Sequence, residues 1–171
     1  MMTIPHMLAG AAIGRTARRP WLAYPAAFAS HFLLDYLPHL DTHGLFGVKR
    51  GGPTGIEASV GVADFLIGAL LVLTLSRRQP DRRVMLGGAF CGALLDIVEY
   101  VPPVGPWFKN WAGTAWLARF HHGIQHNLTP SHWLLGFGTQ AIVLAISIAI
   151  CLPRRRKREP VAQVVRAALA E

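Results

Sequence analysis

The chain of 171 residues is 52% hydrophobic and only 15% charged, with a formal net charge of +8. Soluble domains carry about 25% charged residues, so this composition argues against an ordinary soluble domain and favours a helical membrane protein. The positive charge would also fit a nucleic-acid-binding protein. However, twelve of the seventeen Lys and Arg residues fall in three short clusters that each adjoin an apolar segment. Such clusters are typical of cytoplasmic loops between membrane spans, so we expect no nucleic-acid partner.

The first apolar segment, residues 4–14, is predicted to form a short helix. At 1.5 Å per residue it would be roughly 17 Å long, whereas the hydrocarbon core of a bilayer is about 30 Å thick. The segment is therefore expected either to enter the membrane halfway or to form a thin first span with arginine side chains reaching back to the surface.

Four longer apolar segments are predicted to cross the membrane. They contain 17 to 21 residues each, at positions 21–37, 57–75, 84–101 and 132–152. Helices of this length cover a core of about 30 Å, the shortest only marginally. We therefore predict an all-α, multi-pass transmembrane helical bundle in which residues 1–153 form a single domain. Residues 154–171 would follow as a basic tail in the cytoplasm.

The three arginine clusters predict how these spans are oriented. They lie at residues 15–19, 77–83 and 154–158, and a single orientation places all of them in the cytoplasm. In that orientation the N-terminus and the loops 38–56 and 102–131 lie on the outer side. We therefore expect a multi-pass protein of the inner membrane, with the lipid bilayer as its partner.

The outer loop 102–131 is rich in aromatic residues. Trp107 and Trp111 are four residues apart, and so are Trp116 and Phe120. This spacing predicts a helix that lies at the outer headgroup level, where amphipathic rings are favoured. Packing of the same rings against the bundle is the equally weighted alternative.

Two pairs of glycines indicate where helices pack closely. Gly10 and Gly14 form one G-x-x-x-G pair, and Gly88 and Gly92 form another. Small residues at this spacing let helix backbones approach each other, so we interpret both pairs as packing devices.

A polar stripe runs along the end of the segment 21–37. His31, Asp35 and His39 are spaced i, i+4 and i+8, which places them on one side of a helix. Pro38 is expected to end or kink the helix near residue 37 because it lacks an N–H group. His39, Asp41 and His43 would then lie at the outer mouth of the bundle.

Other ionisable residues fall at a similar predicted depth on the outer side. They come from the remaining segments and the outer loop: His6, Asp64, Asp96, Glu99, His121, His122, His126 and His132. A charged side chain inside a bilayer costs roughly 2.5–3.5 kcal/mol on insertion scales, so such groups mark a site by default. A divalent metal ion would explain the gathering, because imidazole and carboxylate are ligands of zinc and related ions.

Each of these residues also has a simpler interpretation. A single buried histidine is more often a hydrogen-bonded interior residue than a metal ligand. Asp64 and Asp96 would then pair with Arg119 or His132. The metal interpretation therefore depends on the whole cluster rather than on any one residue.

Three short motifs carry a family resemblance. They read His-Met-Leu-Ala-Gly at 6–10, Pro-His-Leu-Asp-Thr-His at 38–43 and His-His-Gly-Ile-Gln-His-Asn at 121–127. In these motifs the chain resembles the membrane-bound metal-dependent hydrolases, a small inner-membrane group also described as LexA-binding hydrolases.

The resemblance implies four metal-ligand positions, namely His6, Asp41, His121 and His126. His39 stands where the family has an Asp, and an imidazole also binds metal. His43 lies one residue late relative to the family's His. His122, Gln125 and Asn127 depart from the family pattern, and the roles of His43, His122 and His132 stay open.

These observations together predict a metal-dependent hydrolase with its site near the outer membrane face. The substrate would be a phosphoester or another lipid-borne ester, and the metal a divalent ion such as zinc. Asp35, Asp64 and Asp96 are the candidate catalytic carboxylates. The candidate metal ligands are His6, His31, Asp35, His39, Asp41, His121 and His126.

Two alternatives belong to other functional classes. Intramembrane Asp, Glu and His residues also form proton or metal-ion relays in transporters. Against transport, the segment 66–75 offers no polar path toward the cytoplasm apart from Thr74. The third possibility is a non-catalytic membrane scaffold whose polar cluster only stabilises the bundle.

Overall fold

The computed structural model describes residues 1–46 and 55–153, except for the side chain of His43. The predicted tail at 154–171 lies outside the described residues. The described part is all-helical, as predicted, with eight α-helices and one turn of 3-10 helix at Pro130–His132. The α-helices are α1 (Thr3–Ala17), α2 (Pro20–Tyr36), α3 (Thr42–Phe46), α4 (Gly55–Ser76), α5 (Arg82–Tyr100), α6 (Val104–Asn110), α7 (Ala115–Ile124) and α8 (Trp133–Cys151).

The short first helix lies inside the bundle. It packs against α2, α4, α5 and α8, and most of its residues from Pro5 to Gly14 are buried. At 15 residues it is about 22 Å long, slightly longer than predicted but still shorter than a bilayer core. Its position explains why small residues dominate it, since neighbouring helices surround it.

The glycine pairs bring α1 and α5 into backbone contact. A Cβ atom at Gly10 would collide with the carbonyl group of Gly88, and one at Gly88 would collide with the carbonyl oxygen of Gly10. A Cβ atom at Gly92 would lie 2.5 Å from the backbone oxygen of His6. The prediction that these glycines are packing devices is confirmed, and the contact brings His6 toward α5.

Two helices are long and apolar enough to cross a membrane, namely Gly55–Ser76 and Pro130–Cys151, the latter including the 3-10 turn. A third span is possible if α5 and α6 count as one, although they meet at an angle of 91°. The predicted span at 21–37 appears as α2, which has 17 residues. The described chain therefore has two to three candidate spans, fewer than the four predicted.

The aromatic side chains of the outer loop are exposed. Trp107, Trp111, Trp116 and Phe120 lie on α6 and α7 and are 51–59% accessible. Trp107 and Trp111 stack with their ring centroids 5.2 Å apart. They form an outward-facing aromatic surface, although the ring of Phe120 also contacts Phe32 of α2, with 5.5 Å between the ring centroids.

The two described arginine clusters meet at one end of the bundle, which we call the basic end. Arg18, after α1, places its Nε atom 3.6 Å from Asp81 Oδ2, just before α5. The Gln79 side chain donates a 3.2 Å hydrogen bond to the carbonyl oxygen of Cys151 at the end of α8. The opposite end, which we call the histidine end, contains the ends of α2 and α5 and the start of α4.

Between the two ends the bundle is filled by apolar side chains. Leu8 and Ala11 from α1 pack with Val72 from α4 and Met85 and Ala89 from α5. All of these side chains are at most 2% exposed. The core separates the histidine end from the basic end by a close-packed hydrophobic layer.

Candidate metal centre

Three histidines and one aspartate converge at the histidine end. Asp35 Oδ2 lies 2.9 Å from His121 Nε2 and 3.2 Å from His31 Nε2. Asp35 Oδ1 lies 3.1 Å from His6 Nε2. These four side chains are at most 2% exposed. Together with Asp96, whose Oδ1 is 3.7 Å from His31 Nε2, they form what we call the central cluster.

Four helices bring the central cluster together. His31 and Asp35 are one turn apart on α2, so they share a face as the sequence spacing predicts. His6 arrives on α1, whose close contact with α5 at Gly92 sets its depth. α7 contacts α2 and delivers His121, while α5 contributes Asp96.

Hydrogen bonds fix the orientation of two imidazole rings. His31 Nδ1 lies 2.7 Å from the carbonyl oxygen of Gly92, and a carbonyl can only accept, so Nδ1 carries the proton. His121 Nδ1 likewise lies 2.8 Å from the carboxylate oxygen Oε1 of Glu99. In the neutral rings both Nε2 atoms therefore keep their lone pairs, and both face Asp35. This is the arrangement by which proteins orient histidine ligands toward a metal.

The charges around His121 favour its protonated form when no metal is present. Burial alone would lower the pKa of this imidazole, but the hydrogen bonds to Asp35 and Glu99 outweigh it and raise the pKa to about 9. The amino group of Met1 also lies 2.5 Å from Asp35 Oδ1. The carboxylates of Asp35 and Glu99 thus stabilise positive charge on their neighbours.

The spacing of donor atoms fits a divalent metal ion. His31, Asp35 and His121 offer one ligand atom each within 4.8 Å of one another, and so do His6, His31 and Asp96. Nitrogen and oxygen ligands about 2.0–2.1 Å from a tetrahedral zinc are roughly 3.3 Å apart, close to the separations around Asp35 Oδ2. Because His31 has only Nε2 free, the two triads share a single ligand and cannot each hold an ion through it.

Two atoms in the central cluster also lack a partner among the described residues. They are His6 Nδ1 and Asp96 Oδ2, both fully buried. A buried polar atom without a hydrogen bond costs about 1–3 kcal/mol. A cation beside Asp96 would remove part of this cost, so the orphaned carboxylate oxygen is a further sign that the cluster accommodates one.

His39 and Asp41 lie in the connection after α2, outside both triads. His39 is fully buried, its Nδ1 lies 2.8 Å from the carbonyl oxygen of Leu37, and its Nε2 has no partner among the described residues. Its Nε2 is 4.0 Å from Asp41 Oδ2, while Asp41 Oδ1 accepts a hydrogen bond from the amide of Gly44. Burial is the largest cause that lowers the pKa of His39. These two residues form a separate pair.

Asp64 and His126 have structural contacts instead. Asp64 Oδ2 accepts a 2.5 Å hydrogen bond from the backbone amide of Thr3, so this carboxylate caps the start of α1 from a neighbouring helix. His126 is exposed, and its Nδ1 donates to the carbonyl oxygen of Tyr36 at 2.9 Å. The structure therefore does not bring either residue into the central cluster.

The two remaining histidines with described side chains lie outside both triads. His122 is half-exposed and lies 2.9 Å from Glu99 Oε2, whereas His132 is exposed and contacts Thr129 and Ser131. The suggested pairing of Asp64 or Asp96 with Arg119 or His132 is not found among the described contacts. The side chain of His43 lies outside the described residues.

Glu99, which the sequence placed among the ionisable residues of the outer side but not among the candidate ligands or catalytic residues, belongs to the site. One carboxylate oxygen contacts His121, while the other contacts His122 and lies 3.4 Å from Lys109 Nζ. The signal in the sequence was a glutamate three residues after Asp96 inside an apolar segment. Its partners come from the outer loop, whose fold the spacing of the helices does not reveal.

Comparison of the chain with family models, with curated proteins and with solved structures finds no match. The resemblance to membrane-bound metal-dependent hydrolases thus depends on the three short motifs alone. Of the four ligand positions that it implies, His6 and His121 lie in the central cluster. Asp41 and His126 lie outside it. The fold and site together define a helical chain with candidate membrane spans and a buried histidine–carboxylate cluster suited to a metal ion.

Proposed function

We propose that the protein is a multi-pass membrane enzyme that uses a divalent metal ion, most simply zinc, for hydrolysis. The carrying observation is that His31 and His121 direct their Nε2 atoms at one carboxylate oxygen of Asp35 while separate acceptors hold their Nδ1 atoms. Three ligands, two from α2 and one from the loop helix α7, leave the fourth position of a four-coordinate ion for water or substrate, as in catalytic rather than structural sites.

Each residue of the central cluster has a definite task in this proposal. His31, Asp35 and His121 would hold the metal ion, which would act as a Lewis acid that polarises the scissile group and lowers the pKa of water. Glu99 and the carbonyl of Gly92 fix the two imidazole rings. Asp96, with one oxygen free of hydrogen bonds in the described structure, is the candidate general base. His6, on α1, either contacts Asp35 and holds it in place, or binds the metal itself together with Asp96.

The membrane topology is part of the proposal. We place the basic end in the cytoplasm, because arginine-rich loops face inward. In this topology α2, α4, α5 and α8 are the four spans, and α1 is a short helix inside the bundle. The central cluster then lies toward the extracytoplasmic side of the inner membrane. The aromatic surface of α6 and α7 would lie at the same level, where exposed tryptophans favour the headgroup region. A phosphoester or another ester carried by a lipid is the substrate class that fits this position.

Ion transport is the weaker candidate. A relay would need polar groups between the central cluster and the basic end, but that layer contains Leu8, Ala11, Val72, Met85 and Ala89. Close-packed apolar side chains oppose the passage of protons or metal ions. A purely structural role would leave the buried Oδ2 atom of Asp96 without a partner among the described residues.

Metal analysis of the purified full-length chain tests the proposal. We expect about one zinc ion or equivalent per chain in the wild type, little in His31→Ala, and the wild-type amount in His132→Ala, an exposed histidine used as the matched control. All three proteins should give the same helical circular dichroism spectrum. Equal metal content in His31→Ala and wild type would refute the metal site.

The hydrolase step needs a separate test. Metal-depleted protein and protein reloaded with zinc are compared on a panel of phosphoesters and lipid esters in detergent. Turnover that requires both the metal and Asp96 supports the enzyme. Metal binding without turnover, together with metal flux in proteoliposomes, would replace the hydrolase proposal by transport. Metal binding with neither turnover nor flux would indicate a structural site.

A further inference from the structure

A pocket of about 620 Å³ lies at the basic end, remote from the central cluster. Its charged wall consists of Arg18 from the turn after α1, Asp81, and Arg82 and Arg83 in the first turn of α5. Val84 and Leu86, also on α5, add an apolar wall. The same pocket thus joins guanidinium groups to a hydrophobic surface at the end of the membrane bundle.

The pocket carries an excess of positive charge. The Nε atom of Arg18 lies 3.6 Å from Asp81 Oδ2, so one of the positive charges is already paired. Neither Arg82 nor Arg83 makes an ion pair with any residue in the described parts of the chain, 1–46 and 55–153. Two guanidinium groups therefore remain available for an anion, and their planar donor geometry matches phosphate oxygens.

The backbone at Arg18 gives an independent reason to regard the pocket as built for binding. Arg18 has φ = 57°, the left-handed conformation in which helices commonly end on glycine. Its amide bonds to the carbonyl oxygen of Gly14 and so closes α1. A glycine would perform this closure with less strain. Arginine at this position instead places a guanidinium in the pocket, and strain retained in this way is common at binding sites.

We propose that this pocket binds the headgroup of an anionic phospholipid such as phosphatidylglycerol. Arg82 and Arg83 contact the phosphate, Arg18 closes the pocket from the α1–α2 turn, and the acyl chains follow Val84 and Leu86 along α5. The apolar wall favours a lipid over free phosphate, since a small hydrated anion gains nothing from it. Basic pockets between membrane helices are known to recognise anionic headgroups in this way. The site is independent of the metal centre and of the proposed hydrolysis.

Native mass spectrometry of the full-length chain in detergent tests the assignment. Phosphatidylglycerol is expected to bind with one saturable site and about tenfold tighter than phosphatidylcholine. The double variant R82Q/R83Q should lose about tenfold or more in phosphatidylglycerol affinity, given the contribution of each arginine to headgroup attraction. The matched control R77Q/R78Q removes the same charge at the same end but outside the pocket, and should stay within about twofold of wild type.

A third variant separates binding from folding. Arg18→Gly relieves the positive-φ strain, so its thermal unfolding temperature should not fall, while its phosphatidylglycerol affinity should drop severalfold. Equal losses in R82Q/R83Q and R77Q/R78Q would mean diffuse attraction and overturn the pocket. Displacement of the lipid by inorganic phosphate at an equal concentration would reassign the pocket to free phosphate and overturn the lipid proposal. Wild-type affinity in Arg18→Gly would overturn the role given to the strained turn.

Discussion

The two ends of the bundle handle charge in opposite ways. At the histidine end, Asp35 is fully buried and contacts three imidazoles, so each charge depends on its neighbours. At the basic end, Arg18 is 71% exposed and its carboxylate partner Asp81 is 23% exposed, so water screens both. A buried cluster that loses one member leaves the others uncompensated, whereas an exposed pair loses little. The comparison therefore predicts large effects at one end and small effects at the other.

The largest effect is expected from neutralising the shared carboxylate. Asp35→Asn removes the charge that all three histidines contact and should weaken metal binding more than about 100-fold, beyond the 10–100-fold loss typical of outer partners. The measurement is a zinc titration against a competing chelator. Asp81→Asn, an equal change of charge at the basic end, is the control and should bind metal as the wild type does. Retention of metal by Asp35→Asn would remove the contrast between the two ends.

The next effect tests whether Glu99 orients His121. Glu99→Ala removes the acceptor for His121 Nδ1 and should weaken metal binding by roughly 10–100-fold. Glu99→Gln keeps an acceptor oxygen but loses the charge, so it should recover part of that loss. Lys109→Gln is the control because Lys109 contacts the other carboxylate oxygen. If Glu99→Gln binds the metal no more tightly than Glu99→Ala, the effect comes from the charge of Glu99 and not from the orientation of His121.

The packing of the histidine end gives a smaller effect on stability. Gly92→Ala places a Cβ atom 2.5 Å from the backbone oxygen of His6, and such overpacking typically costs about 1–3 kcal/mol. Gly61→Ala meets no atom within 4 Å and should be neutral or stabilising by up to about 1 kcal/mol, since alanine is the better helix former. Thermal unfolding in detergent distinguishes the two. Equal unfolding temperatures would contradict the close contact between α1 and α5.

The smallest effect is expected where the structure and the family motif disagree. The motif implies that His126 is a ligand, but the structure places it on the surface with its Nδ1 bonded to the carbonyl of Tyr36. His126→Ala should therefore change zinc affinity by less than about twofold, as surface substitutions do. His121→Ala, five residues earlier, should abolish binding in the same chelator titration. A loss in His126→Ala comparable to that in His121→Ala would favour the motif over the geometry.

Much of this arrangement follows from regular helices and could be predicted. The spacing of His31 and Asp35 places them on one face of α2, and the glycine pairs predict close helix packing, which the structure shows between α1 and α5. These inferences succeed because helix periodicity is local and fixed. The number of spans was harder to infer, because α2 has only 17 residues and α5 turns sharply into α6.

The residues that could not be predicted lie where the chain is not a long helix. His121 and His126 belong to one motif, yet the end of α7 at Ile124 lies between them, and only the first faces the central cluster. Asp64 was expected near the metal, but its carboxylate meets the first amides of α1 across the bundle. Glu99 gains its role from loop residues. Contacts of this kind depend on how loops and helix ends meet in space, which sequence spacing does not encode.

Gly92 has a consequence for how the fold would respond to an ion in the candidate metal centre. Its missing side chain admits α1, and its carbonyl group holds the ring of His31, so one residue serves both helix association and ligand orientation. Occupancy of the centre and stability of the fold are therefore thermodynamically linked. An ion that binds only the native state adds about 2.7 kcal/mol of stability at a free concentration 100 times its dissociation constant. If the proposed centre holds a metal ion, metal scarcity would accordingly reduce the lifetime of the folded protein.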